Sequence, residues 1–103
     1  MSRLGAVTLA FADGEYEFRL RIAQLDELDR KFEVGPAFML NEFAADKWRV
    51  PWVREVLRLG LIGGGLKPSD AAQLIKDYVI DRPLMENALH AMVIMSASVV
   101  GYE

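Results

Sequence analysis

Lys67 and Ser69 follow the glycine run Gly63-Gly64-Gly65, and these are residue types that hold phosphate in nucleotide-binding loops. There, consecutive backbone amides cradle the anion, a lysine neutralises it and a hydroxyl serves a metal ion. The spacing argues against that chemistry. A phosphate loop follows a strand and passes through Gly-Lys-Ser/Thr directly into a helix. Here a helical pattern precedes the glycines, and Pro68 separates Lys67 from Ser69 and removes an amide donor. Gly63, Gly64 and Gly65 are therefore read as a helix stop with positive φ, leading into a loop.

The remaining reactive types are sparse. His90 is the only histidine and there is no cysteine, so neither a Cys–His pair nor a thiolate or two-imidazole metal site can be assembled. His90 is expected to be partly buried or at an interface. Asp26, Glu27 and Asp29 crowd one helix, but neighbouring helical positions point in different directions, which suits a solvated face better than paired-carboxylate catalysis. No catalytic residue, cofactor site or metal site is assigned, and the chain reads as non-enzymatic. Two sets carry binding potential instead. Trp48 and Trp52 lie four residues apart around Pro51, where they could cover one surface, and tryptophan is enriched at binding hot spots; capping the core is the plainer role. Met85, Met92 and Met95 share one helical stretch. Methionine adapts to irregular partners, although filling the core also fits the spacing. That last helix is apolar around so much of its circumference that self-association or a helical client is expected.

These residues are positioned by a hairpin and a run of short helices. Val7, Leu9 and Phe11 alternate with small or polar residues, as do Tyr16, Phe18, Leu20 and Ile22 beyond Asp13-Gly14. With Asp13 and Gly14 as a two-residue type I′ loop, Phe11 would face Tyr16, Leu9 would face Phe18 and Val7 would face Leu20. All large apolar residues then share one face, opposite Glu15, Glu17, Arg19 and Arg21. Ile22, Leu25, Leu28 and Phe32 recur at helical spacing until Gly35-Pro36, and Pro36 opens a helix carrying Phe38, Met39, Leu40 and Phe43. Pro51 opens a third, with Val53, Val56, Leu57, Leu59 and Leu61 inward. Ser69 is the expected N-cap of a fourth, with Ala71, Leu74, Ile75, Tyr78 and Val79 inward. Pro83 starts a fifth, with Leu84, Met85, Ala88, Leu89, Met92, Val93 and Met95 inward. The expected class is α+β, mainly α: an N-terminal β-hairpin (1–22) and about five short helices (23–103) in one compact domain spanning 1–103.

Composition limits the function classes. A length of 103 residues suits one domain, and 52% hydrophobic residues suffice for one core. A net charge of −3 offers no basic field for nucleic acid. The apolar run 91–100 is too short to span a bilayer, and no secretory leader is evident, so a cytoplasmic setting without membrane contact is expected.

The opening Gly5-Ala6-Val7-Thr8-Leu9 with Phe18-Arg19-Leu20 is followed by the Leu-x-x-Leu step within 22–28. Then come Val53-Arg54-Glu55-Val56-Leu57-Arg58-Leu59-Gly60-Leu61-Ile62-Gly63-Gly64-Gly65, a Ser69–Val79 helix, and Pro83-Leu84 before a small-residue apolar helix closing at Gly101. In this order the elements resemble the small tail-assembly family of gene transfer agents and related siphophages. That family is labelled either as tail assembly chaperones or as gene transfer agent phage tail tube proteins. The resemblance implies a chaperone that coats the long helical tape measure protein in the bacterial host's cytoplasm, recruits the major tail tube protein and is lost from the mature particle. The alternative it carries is a structural tail component, a tube or connector subunit. Tube proteins build their lumen from large β-sheets closed between subunits, whereas two strands are all this chain offers.

Overall fold

In the computed structural model, which describes residues 4–101, a two-stranded antiparallel hairpin precedes five helices. The strands are β1 (Ala6–Phe11) and β2 (Gly14–Arg19); the helices are α1 (Ile22–Phe32), α2 (Pro36–Ala44), α3 (Val50–Gly63), α4 (Pro68–Tyr78) and α5 (Met85–Val99). The architecture is α+β and mainly helical, as expected. No helix among the described residues is long and apolar enough to cross a membrane.

The hairpin forms, but in a different register. Val7 pairs with Phe18, Leu9 with Tyr16 and Phe11 with Gly14, so the loop is Ala12-Asp13 rather than Asp13-Gly14. Of the two loop residues only Ala12 has positive φ (55°), so the expected type I′ turn does not form. The partners have slipped by two residues. Because side chains alternate with period two, a slip of two leaves every residue on its original face. Val7, Phe11 and Phe18 are buried, while Thr8, Ala10, Glu15 and Glu17 face water. Opposing Phe11 to a residue without a side chain also leaves room for its ring, which packs edge-on against Tyr16 at 6.2 Å and Phe18 at 5.5 Å.

Proline decides where three helices begin, because its fixed φ and missing N–H suit the first turn. Pro36 starts α2 and Pro68 starts α4, while Pro51 is the second residue of α3. Lys67, not Ser69, therefore occupies the N-cap of α4, and Ser69 sits inside the helix. Pro83 lies outside α5, which begins at Met85. The strand ends at Arg19 and Ile22 opens α1, where it is 81% exposed, so it belongs neither to the ribbon nor to the core. α1 ends earlier than Gly35-Pro36: Glu33 adopts a left-handed φ of 56° and its N–H donates to the carbonyl of Asp29.

α3 is the central element. It packs on β2, α4 and α5, and Val53, Val56, Leu57 and Leu61 on it are fully buried. Each such side chain contributes roughly 1.5–3 kcal/mol through removal from water. α5 lies across α2, α3 and the hairpin, and its inward face is only partly the one expected: Ala88 and Met95 are buried as expected, but Met85 and Leu89 are not. Ala88, Ala91, Ile94, Met95 and Ala97 are buried, whereas Met85 and Leu89 are about half exposed and Met92 and Val93 are intermediate. A Cβ on Gly60 of α3 would lie 3.4 Å from Ile94, and one on Gly5 would lie 3.3 Å from the carbonyl of Ala97. The hairpin backbone at Gly5 comes close only at Ala97, while beside α3 the side chains of Ile94 and Met95 fill the space, both fully buried.

Candidate partner-binding surfaces

The glycine run is a joint between helix and hairpin. In an antiparallel pair only alternate residues exchange hydrogen bonds, so with Phe11 opposite Gly14 the carbonyls of Glu15, Glu17 and Arg19 point away from β1. The end of α3 seals that outer edge. A Cβ on Gly63 would sit 1.8 Å from the Arg19 carbonyl oxygen, and one on Gly64 would sit 2.1 Å from that of Glu17. No side chain fits at either position. The hydrogens the glycines carry instead point at those carbonyls and leave the helix end seated on the strand. Arg21 fastens the joint, its Nε donating to the Gly63 carbonyl at 3.1 Å.

Two points of the expected helix stop are corrected. Gly63 is the last helical residue and Gly64, with φ −79°, is still right-handed; only Gly65 (φ +114°) turns left-handed. The Leu66 N–H donates to the Leu61 carbonyl and the Gly65 N–H to that of Ile62, each at 3.0 Å, which together form a Schellman cap. The amides of Gly64, Gly65 and Leu66 are thus all used within the helix end. None is left to cradle phosphate, so the rejection of a phosphate loop gains a geometric reason.

Behind this joint, α1 is tied to α3 by a charged network. Glu55 is buried at 7% exposure. It accepts from Lys31 Nζ at 2.6 Å and from Arg58 Nε and Nη2 at 2.8 and 2.9 Å; Arg58 Nη2 also reaches Glu27 at 3.3 Å. The hydrogen bonds from Arg58 and then Lys31 outweigh desolvation and hold the Glu55 carboxyl at a pKa of about 2. Consecutive lettering as Arg-Glu-Val-Leu-Arg gave no hint that this glutamate faces inward.

The tryptophans do not share a surface. Trp52 is 7% exposed, and its ring lies 6.4 Å from Phe32 and 6.1 Å from Phe43. Trp48 precedes α3 and is partly buried, with no acceptor for its indole N–H among the described residues. Trp52 nevertheless forms part of the floor of an open groove of about 680 Å³. Phe32, Val34, Phe38 and Pro51 complete its apolar lining, and Glu42, Lys47 and Arg49 complete its rim. Phe38, 53% exposed, stands at the edge.

Of the three methionines singled out on α5, Met95 is fully buried and can present nothing to a partner. Met85 is 52% exposed, and Met92 is intermediate. They share the outward face of α5 with Leu89, a residue the sequence reasoning assigned to the core. His90 is intermediate, edge-on to Phe11 at 6.2 Å, and its Nδ1 has no partner among the described residues. A signal for the true inward face was present in Ala88, Ala91 and Ile94, small or β-branched residues three apart.

Residues 4–101 match the family described as "Phage tail tube protein, GTA-gp10". No curated protein and no solved structure shows a match to the chain.

Proposed function

The chain belongs to that phage tail tube (GTA-gp10) family, and from this premise we propose that it acts as a non-enzymatic tail assembly chaperone. In this role it holds the helical tape measure protein in the host cytoplasm until tube subunits, the major tail tube protein, polymerise around it. The observation that carries the proposal is the groove between α1, α2 and the start of α3. An amphipathic helix docks by inserting residues from one apolar stripe into a hydrophobic trough. Phe32, Val34, Phe38, Pro51 and Trp52 supply such a trough, and the rim carries both charge signs, Lys47 and Arg49 with Glu42. Trp52 and Phe38 are the aromatic anchors in this scheme.

A second role, a tube or connector subunit that stays in the particle, is favoured by the family's own description. Against it stands the supply of strands. A tube wall closes through sheet pairing between subunits, and of this hairpin's two edges the β2 edge is already covered by Gly63 and Gly64.

Co-expression with the tape measure protein tests the chaperone role. The wild-type chain should co-purify with it and raise its soluble yield. Phe38→Glu, at an exposed site, should lose at least tenfold in capture while melting as the wild type does. Equal capture by Phe38→Glu refutes the groove as the client site. Recovery of the protein at stoichiometric levels in purified particles refutes the chaperone role and supports the structural one.

A further inference from the structure

Beside the groove, at the first turn of α3, lies a second depression of about 270 Å³. Val50 lines it, and Pro51, the next residue, lines the groove, so the two adjoin. Val50 and Ile80 are 49% and 47% exposed there, and Leu84 adds to the apolar lining. Large aliphatic side chains half out of water thus continue the aromatic trough. Charge around this track is lopsided. Its linings carry four cations, Lys47, Arg49, Arg54 and Arg82, against two acids, Glu42 and Asp81, in a chain whose net charge is −3. The side chains of Lys47, Arg49 and Arg54 form no hydrogen bond or ion pair with any of the described residues. Lys31 and Arg58, by contrast, are committed to Glu55. α3 itself begins here with no acidic residue in its first turn to offset them.

We propose that groove and depression form one client site, and that the segment it takes is an amphipathic helix whose apolar stripe is bordered by carboxylates. The proposal rests on the groove being the client site; it adds a second contact and the client's charge. The trough selects the stripe, and the unpaired cations select the flank. Docking removes water from the cations around the trough. A basic flank would then set like charges together in a partly dried interface, whereas aspartates or glutamates supply the partners that the chain itself does not. Val50 and Ile80 decide between such a helix and a nucleic acid. Half-exposed aliphatic side chains give a phosphate backbone nothing to bind, and they suit the apolar stripe of a helix.

Capture of the co-expressed tape measure protein at about 50 and about 500 mM NaCl tests this, since salt screens exposed charge pairs. Wild-type capture should fall at least fivefold between the two. Arg49→Glu with Arg54→Glu should capture at least tenfold less at the lower salt and lose the salt response, with unchanged melting. Arg49 is the N-cap residue of α3, where an acidic side chain favours the helix, so the fold is kept. Arg30→Glu with Lys67→Glu makes the same change in net charge at residues that line neither groove nor depression, and should stay within twofold of wild type. Ile80→Ser, neutral and at a half-exposed site, should lose at least threefold. If Phe38→Glu loses capture while the Arg49/Arg54 reversal, Ile80→Ser and salt leave it unchanged, the groove stands and this proposal falls. If Phe38→Glu captures as the wild type does, the groove falls and the proposal with it. An equal loss in the Arg30/Lys67 control, or capture abolished by nuclease, also overturns it.

Discussion

Gly64→Ala adds a single methyl group, and the place it would occupy lies 2.1 Å from the carbonyl oxygen of Glu17; for Gly63→Ala the distance is 1.8 Å from that of Arg19. Both obstacles are backbone atoms of β2, so neither can swing aside as a side chain would. Ordinary contact requires the end of α3 to lift from the strand by more than an ångström. That movement strains the Arg21–Gly63 hydrogen bond and pulls Gly60 from Phe18, whose Cδ1 lies 3.1 Å from where a Gly60 Cβ would be. Overpacking of this kind costs about 1–3 kcal/mol. At Gly63, inside the helix, alanine recovers about 1 kcal/mol of helix propensity, while Gly64 gains little. Gly64→Ala should thus lose about 2 kcal/mol, which for a chain of this size is about 10 °C in Tm. Urea denaturation with an unchanged m-value measures the loss. Two other glycines serve as internal standards. Gly65→Ala meets nothing within 4 Å and should lose only about 1 kcal/mol to its positive φ. Gly14→Ala, with open space and no positive φ, should stay within about 0.5 kcal/mol of wild type. If Gly63→Ala and Gly64→Ala both match wild type, or if Gly65→Ala is the most damaging of the series, close approach is not what these glycines provide.

Glu55 links stability to acid. Its folded pKa of about 2 lies below the ordinary 4.5, so its contribution is complete above the ordinary value and fades as pH falls toward 2. Lys31 is half exposed, which screens the pair and brings the contribution to about 1–2 kcal/mol. Glu55→Gln should therefore melt lower than wild type at pH 7, and the difference should close between pH 5 and 2; a constant difference across that range refutes the assignment. The α5 methionines should separate by role. Met95→Ala leaves a cavity and should cost about 2–5 kcal/mol in chemical denaturation. Met85→Ala, half exposed, should cost less than about 0.5 kcal/mol, and a larger loss would mean that its face is covered within the monomer.

Much of the fold was legible because its signals are local. Alternation marked both strands. Pro36 and Pro51 marked helix starts to within one residue, since a ring that fixes φ and removes an N–H acts on its own turn, whereas the starts expected at Ser69 and Pro83 each missed by two. For α5 the sequence offered two competing faces, the large apolar residues Met85, Leu89 and Met92 and the smaller set Ala88, Ala91 and Ile94. The buried face mixes Ala88, Ala91 and Ala97 with Ile94 and Met95, and the hairpin backbone at Gly5 comes close at Ala97. The groove was invisible, as it joins Phe32, Phe38 and Trp52 from three helices. Of its residues only Trp52 stood out in the sequence as a candidate for binding, and it lies in the groove floor, mostly buried.

The sequence by itself determined the order and kind of the elements and the parity of the hairpin, because period two keeps its apolar face under the slip that occurred. It also determined that Gly63-Gly64-Gly65 ends a helix. The tertiary structure alone decided the strand register, the inward face of α5 and the reason for the glycines. Positive φ, which a sequence can suggest, applies only to Gly65. Gly63 and Gly64 are required by carbonyls of Arg19 and Glu17, more than forty residues away in the chain. Such contacts depend on where α3 comes to rest on β2, and no local rule encodes that distance.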